Sequence, residues 1–193
     1  VLSNKAAVLL ENDQLVKAES VLDKAQGIAQ VIGLIDHPLI KNEGILLAKK
    51  EEYQRAEKTL TGLLAEVDST NLPEVAAINA AIANVLTKTD RPRKAIAFLE
   101  AALAADQWAG FYRGMADDLA AIGAVHRQLN DYQSAGDYYQ RSLKIYALIG
   151  SRDKVAEVLD RLEEIGEMKQ LDLTVTKHFV ERWLKGEADG PCE

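Results

Sequence analysis

KAESVLDKA (17–25), RAEKTLTGL (55–63), KAIAFLEAA (94–102) and SAGDYYQRS (134–142) are four versions of one segment. The second position of each is an alanine, and Ala18, Ala56, Ala95 and Ala135 follow one another at spacings of 38, 39 and 40 residues. Twelve residues before each stands a small residue: Ala6, Gly44, Ala83 and Gly123. Nine before stand Leu9, Leu47, Leu86 and His126, and three before stand Leu15, Tyr53, Pro92 and Tyr132. Four residues after come Leu22, Leu60, Leu99 and Tyr139. Small and large residues recurring at fixed, helix-compatible offsets describe one buried face repeated along the chain. A period near 40 predicts stacked two-helix units, none of which buries its apolar face alone.

Working outward, the punctuation fits. Asn12-Asp13, Glu51, Asp90 and Asn130-Asp131 stand where each second helix should begin, and are expected to cap its free N–H groups. Asp36-His37-Pro38 and Asn71-Leu72-Pro73 read as first-helix starts with proline in the first turn. IAQVIGLID (28–36) parallels IYALIGSRD (145–153), which puts Gly33 and Gly150 at left-handed helix ends. First helices are expected near 2–11, 37–49, 74–88 and 108–129, and second helices near 14–32, 52–67, 91–106 and 132–149. A fifth, degenerate pair is expected near 152–167 and 170–185, with Leu171 where the pattern wants alanine. The domain reading is four pairs over 1–150 (about 1–36, 37–72, 73–107 and 108–150), a capping pair over 151–186, and a flexible tail over 187–193. Phe179, Val180 and Trp183 on one face of the last helix would cover the end of the stack.

Composition agrees with an all-α chain. Of 193 residues 48% are hydrophobic and only 6% aromatic, with four prolines and twelve glycines. A formal net charge of −7 argues against a nucleic-acid partner, whose affinity comes from clustered Lys and Arg. The single cysteine, Cys192, allows no intrachain disulfide and no cysteine-based zinc site. No apolar run is long enough to span a bilayer. A cytoplasmic location is expected. The chain starts at Val1 inside a helical pattern, so upstream sequence is expected to be missing and a periplasmic or anchored form stays open.

The register resembles the tetratricopeptide repeat, in its long-helix form, over roughly Leu2 to Gly150. The spacing and the Ile-Gly helix ends are similar to those in kinesin light chains, in bacterial peptide-sensing regulators and in the sensor region of the maltose-regulon activator. The resemblance implies a right-handed superhelical solenoid of about five antiparallel helix pairs, whose first helices line a concave groove. Carried over by position, Asn4, Lys41, Asn42, Lys49, Asn84, Lys88 and Arg127 face that groove, over an alanine-rich floor. The asparagines would hydrogen-bond a peptide backbone, and the cations would meet acidic side chains or a C-terminal carboxylate. These residues do not reproduce the two-carboxylate clamp of the chaperone-binding members.

Chemistry finds no foothold. His37, His126 and His178 lack the spacing of metal ligands, and no phosphate loop or serine-nucleophile motif occurs. Glu51-Glu52, Asp117-Asp118 and Glu163-Glu164 read as solvated helix faces. No enzyme activity, metal or cofactor is expected. Trp108, Phe111 and Tyr112, in the apparently long connection QWAGFYRGM, read first as an early helix start packed on the preceding pair; the sharper reading is an exposed binding hot spot. The leading function is a scaffold or adaptor that holds a protein or peptide segment in the groove. The alternatives are a sensor domain of a larger signalling or transcription protein, and a module that self-associates through its end helices.

Overall fold

The computed structural model describes residues 1–169 and 172–185; Leu171 and the 187–193 tail with Cys192 lie outside the described residues. Ten α-helices account for the fold, and no strand occurs among the described residues. They are α1 (Leu2–Glu11), α2 (Leu15–Ile32), α3 (His37–Lys49), α4 (Tyr53–Glu66), α5 (Leu72–Lys88), α6 (Pro92–Ala109), α7 (Tyr112–Gln128), α8 (Tyr132–Leu148), α9 (Arg152–Lys169) and α10 (Thr174–Leu184). The class is an all-α, solenoid-type repeat.

One backbone device ends most of these helices. Asp13, Glu51, Asp90 and Asn130 have φ of 52°, 62°, 56° and 61°, so each spends one residue in the left-handed region. The next N–H then reaches back five residues: Gln14 to the Leu9 carbonyl, Glu52 to Leu47, Arg91 to Leu86 and Asp131 to His126, all at 2.9 Å. This is the Schellman closure of a first helix. It corrects the expectation that these residues cap the second helices. Among them only Asp131 caps, its Oδ1 accepting from the Ser134 N–H at 3.2 Å. Asp and Asn suit the position because their short polar side chains tolerate positive φ. Between pairs the same closure falls on Gly33, Gly110 and Gly150, with φ of 66°, 68° and 72°. At the start of α3 the carboxylate of Asp36 accepts from the Leu39 N–H at 3.0 Å, with proline in the first turn.

QWAGFYRGM is not a long connection. α6 continues through Trp108 to Ala109, and α7 starts at Tyr112 after a two-residue break. Gly110 carries the left-handed turn, so Trp108 ends a second helix instead of opening a first.

The chain divides into two compact units, Val1–Phe98 and from Leu99 onward, with the boundary inside α6 and not between sequence repeats. In the first unit α1 packs on α2, α3 on α4, and α1 and α5 each on α3. Ala6 and Ala18 have no exposed surface, which lets α1 and α2 approach at their backbones. At Gly44 an added Cβ would lie 2.6 Å from Leu60 Cδ2, so α3 needs a bare backbone where Leu60 presses. In the second unit α8 packs against α7, α9 and α10, around Ala135, Tyr139, Leu143, Tyr146, Leu162 and Val180. A Cβ on Gly123 would meet Tyr139 Cδ1 at 2.8 Å and the Ala135 carbonyl oxygen at 3.2 Å. The large residue four positions past each anchor alanine therefore fills the space left by a small residue on the preceding helix. Burying each such side chain contributes about 1.5–3 kcal/mol.

Candidate functional site

In the first unit the expected groove residues sort by what they touch. Asn4, Asn84 and Lys88 are exposed on α1 and α5. Lys49 pairs with Asp13 across the α1–α3 side. Lys41 is half-buried and lines a cavity of about 610 Å³ with Ile35, His37, Asn71, Pro73 and Glu74. His37 Nδ1 lies 3.2 Å from Glu74 Oε1 on its wall. Asn42 is not a groove residue. It is 2% exposed, and its Nδ2 donates to the Ser3 carbonyl at 2.7 Å. Ser3 is itself buried and donates from Oγ to Asp36 Oδ2 at 2.9 Å. Together Ser3, Asp36 and Asn42 tie α1 to α3, and the polar residue faces the core because a backbone carbonyl there needs a donor.

The second unit holds a cavity of about 660 Å³ built by α7, α8 and α9. Ala124 and Arg127 come from α7, Tyr132 and Tyr139 from α8, and Arg161, Glu164, Ile165 and Met168 from α9. Arg127 pairs with Glu164, which is mostly exposed. Arg161 Nη2 donates to Glu157 Oε1 at 2.6 Å. Lys154 beside Glu157, opposed by partial burial and helped by Arg161, holds that carboxyl below its usual range. Burial pushes the Tyr139 phenol up, so it stays a neutral hydroxyl beside the two guanidiniums. Lys169 Nζ sits 4.5 Å from the centroid of the Tyr132 ring. The cavity thus has an aromatic and aliphatic floor, with two guanidiniums whose partners are the mostly exposed Glu164 and the half-buried Glu157. The exposed Arg127–Glu164 pair contributes only ~0–1 kcal/mol.

Arg161 escaped the sequence reading because it lies in the degenerate fifth pair, where no register carried a position across. The histidines stand apart: His126 Nδ1 is 3.0 Å from Asp131 Oδ2, and its ring stacks on Tyr138 at 5.3 Å.

The aromatic trio is exposed: Trp108 is 84% accessible, with Phe111 and Tyr112 both more than half so. Most of the Trp108 surface is free, whereas the Phe111 ring edge lies over the same stretch of backbone at Gly114 as Asp106 of α6.

Asp117-Asp118 is only half a solvated face. Asp117 is exposed and accepts from the Tyr146 hydroxyl. Burial together with that bond holds the Tyr146 phenol far above its ordinary range. Asp118 is 5% exposed and its Oδ2 has no hydrogen-bond partner. The repeat register contained the clue: five residues before Gly44, Ala83 and Gly123 stand Leu39, Ile78 and Asp118, and the first two are core residues.

Residues 74–148 match the model of the tetratricopeptide repeat. Over that stretch the chain is of the tetratricopeptide-repeat type. Repeats of this type generally mediate protein–protein interaction. Among solved structures, BtubC (BKLC) from P. vanneervenii superposes on the repeat protein with a TM-score of 0.70 at 16% identity, covering 100% of this chain and 83% of that one. At that identity the likeness concerns the fold alone. No curated protein matches the sequence. Among the described residues no helix of the repeat protein is long and apolar enough to cross a membrane.

Proposed function

We propose that this repeat protein is a non-enzymatic adaptor that holds a protein segment, with the α7–α8–α9 cavity taking an acidic side chain or C-terminal carboxylate of the partner. The observation that carries this is the pair Arg127 and Arg161 over a tyrosine-lined floor. Guanidiniums bind carboxylates through paired, charge-assisted hydrogen bonds, each contributing about 1.5–3 kcal/mol. Ile165 and Met168 give the same cavity an apolar wall for the segment's neighbouring side chain. Asn4, Lys41, Lys49, Asn84 and Lys88 on the first unit are proposed as further contacts. A cytoplasmic location goes with this reading, supported by the single cysteine in the sequence. The test is capture from native lysate on immobilised wild type and on the Arg127→Glu/Arg161→Glu double variant. A partner held by wild type and lost from a variant of unchanged helicity supports the reading; equal capture by both overturns it.

A second reading, self-association, is favoured by the exposed Val31, Ile32, Leu34 and Ile35 at the end of α2. It requires a solution mass that rises with protein concentration and falls back in a Val31→Glu/Ile32→Lys variant.

A further inference from the structure

The corner between α6 and α7 breaks the repeat pattern in one direction. Eleven residues past the anchor alanines stand Ala29, Val67, Asp106 and Tyr146, so Asp106 replaces an otherwise largely apolar residue. Asp118 likewise stands where other units carry Leu39 and Ile78. Two carboxyls have therefore entered core positions at the same corner, 4% and 5% exposed. Gly114 makes room for them. A Cβ there would lie 1.7 Å from Asp106 Oδ2 and 2.6 Å from Phe111 Cδ1, so carboxylate and ring edge cover the same bare stretch of backbone.

Buried acids are ordinarily paired with a cation or fully hydrogen-bonded. Here Asp118 Oδ2 has no partner, and no ion pair involves Asp106 or Asp118 among the described residues. What the corner lacks is a cationic donor. The rim, by contrast, is aromatic and exposed, with the Phe111 ring edge beside Asp106 at Gly114 and Tyr112 next in the chain. A guanidinium fits both halves of the corner: its planar face stacks on aromatic rings, and its five N–H groups satisfy carboxylate oxygens.

We propose that the α6–α7 corner is a second binding site, taking an arginine side chain of a protein partner against Phe111 and the Asp106–Asp118 pair. It is separate from the α7–α8–α9 cavity and of opposite charge preference. Burial, with Asp106 and Asp117 nearby, pushes the Asp118 carboxyl up to about 8, so arginine binding releases a proton and strengthens between pH 6 and 8.5. The other ionisable groups beside the pair are Asp117 on α7 and, hydrogen-bonded to it, Tyr146 on α8.

The probe is N-acetyl-arginine methylamide, titrated into the full chain while the backbone amide shifts of residues 106–118 are followed by NMR. Its neutral isostere, the N-acetyl-citrulline methylamide, is the control. Saturable shifts at these amides with the arginine probe alone are expected. Asp118→Asn and Asp106→Asn keep the side-chain shape and remove a buried charge, and each should weaken binding about tenfold. Phe111→Ala, at an exposed position, should weaken it about threefold. Equal shifts with citrulline, no saturable shift at all, or wild-type affinity in Asp118→Asn would overturn the proposal.

Discussion

Gly123→Ala and Gly136→Ala are the same chemical change in the same packed unit, one on α7 and one on α8, and the structure gives them opposite signs. Both gain helix propensity and lose unfolded-state freedom, a stabilisation of about 1 kcal/mol. At Gly136 the new methyl meets only Leu162 Cδ1 at 3.9 Å, an ordinary contact. At Gly123 it meets the Tyr139 ring at 2.8 and 2.9 Å and the Ala135 carbonyl oxygen at 3.2 Å. Tyr139 is 1% exposed and the Ala135 oxygen belongs to the backbone, so overpacking costs about 1–3 kcal/mol. The net expectation is a loss of ~1 kcal/mol for Gly123→Ala and a gain of ~1 kcal/mol for Gly136→Ala. In a chain of this size each is a shift of about 2–4 °C in Tm. Thermal melts followed by circular dichroism, with urea titrations as a second measure, read both. A Gly123→Ala protein as stable as Gly136→Ala would refute the close helix contact on which the repeat register rests.

Other consequences follow from single residues. Glu51 holds a left-handed φ of 62° with a full side chain, so Glu51→Gly should stabilise by about 1 kcal/mol in urea unfolding, and Glu51→Val should destabilise. Asn42→Ala removes the buried hydrogen bond to the Ser3 carbonyl and should cost about 0.5–1.5 kcal/mol, while partner capture by the folded protein stays unchanged. The Asp118 carboxyl is raised in the fold from an ordinary 3.8 to about 8. The folded chain keeps that proton where the unfolded chain has lost it, so stability falls as pH rises from about 4 to about 8. Asp118→Asn should flatten that slope and be the more stable protein at pH 8, as urea midpoints across the range will tell.

The repeat was legible because it is written in packing: Ala18, Ala56, Ala95 and Ala135 are all fully buried, and each recurs opposite a small residue twelve positions earlier. Turn chemistry was harder. Asp13, Glu51, Asp90 and Asn130 suit an N-cap and a left-handed helix end equally well by residue type, and only the backbone φ distinguishes the two. The partners of the expected groove residues were not legible. Asn42 has the residue type of a peptide-binding asparagine, yet its donor is consumed by Ser3 on α1, a contact 39 residues away in sequence. Lys49 and Arg127 look like free cations in sequence, but each meets a carboxylate from another helix or turn. Arg161 went unseen because the fifth pair lacks the anchor alanine. Asp118 went unseen for a different reason: charge type outweighed register, although its equivalents Leu39 and Ile78 mark a core position.

The most direct test of the adaptor reading places a photocrosslinking benzoylphenylalanine at Gln128, on the rim of the α7–α8–α9 cavity, and separately at Ala104, exposed on α6. Irradiation in native lysate should give a discrete protein adduct from the Gln128 position, none from Ala104, and none from Gln128 once Arg127 and Arg161 are both changed to glutamate. Adducts from Ala104 alone, or an unchanged Gln128 adduct in the charge-reversed protein, would contradict it.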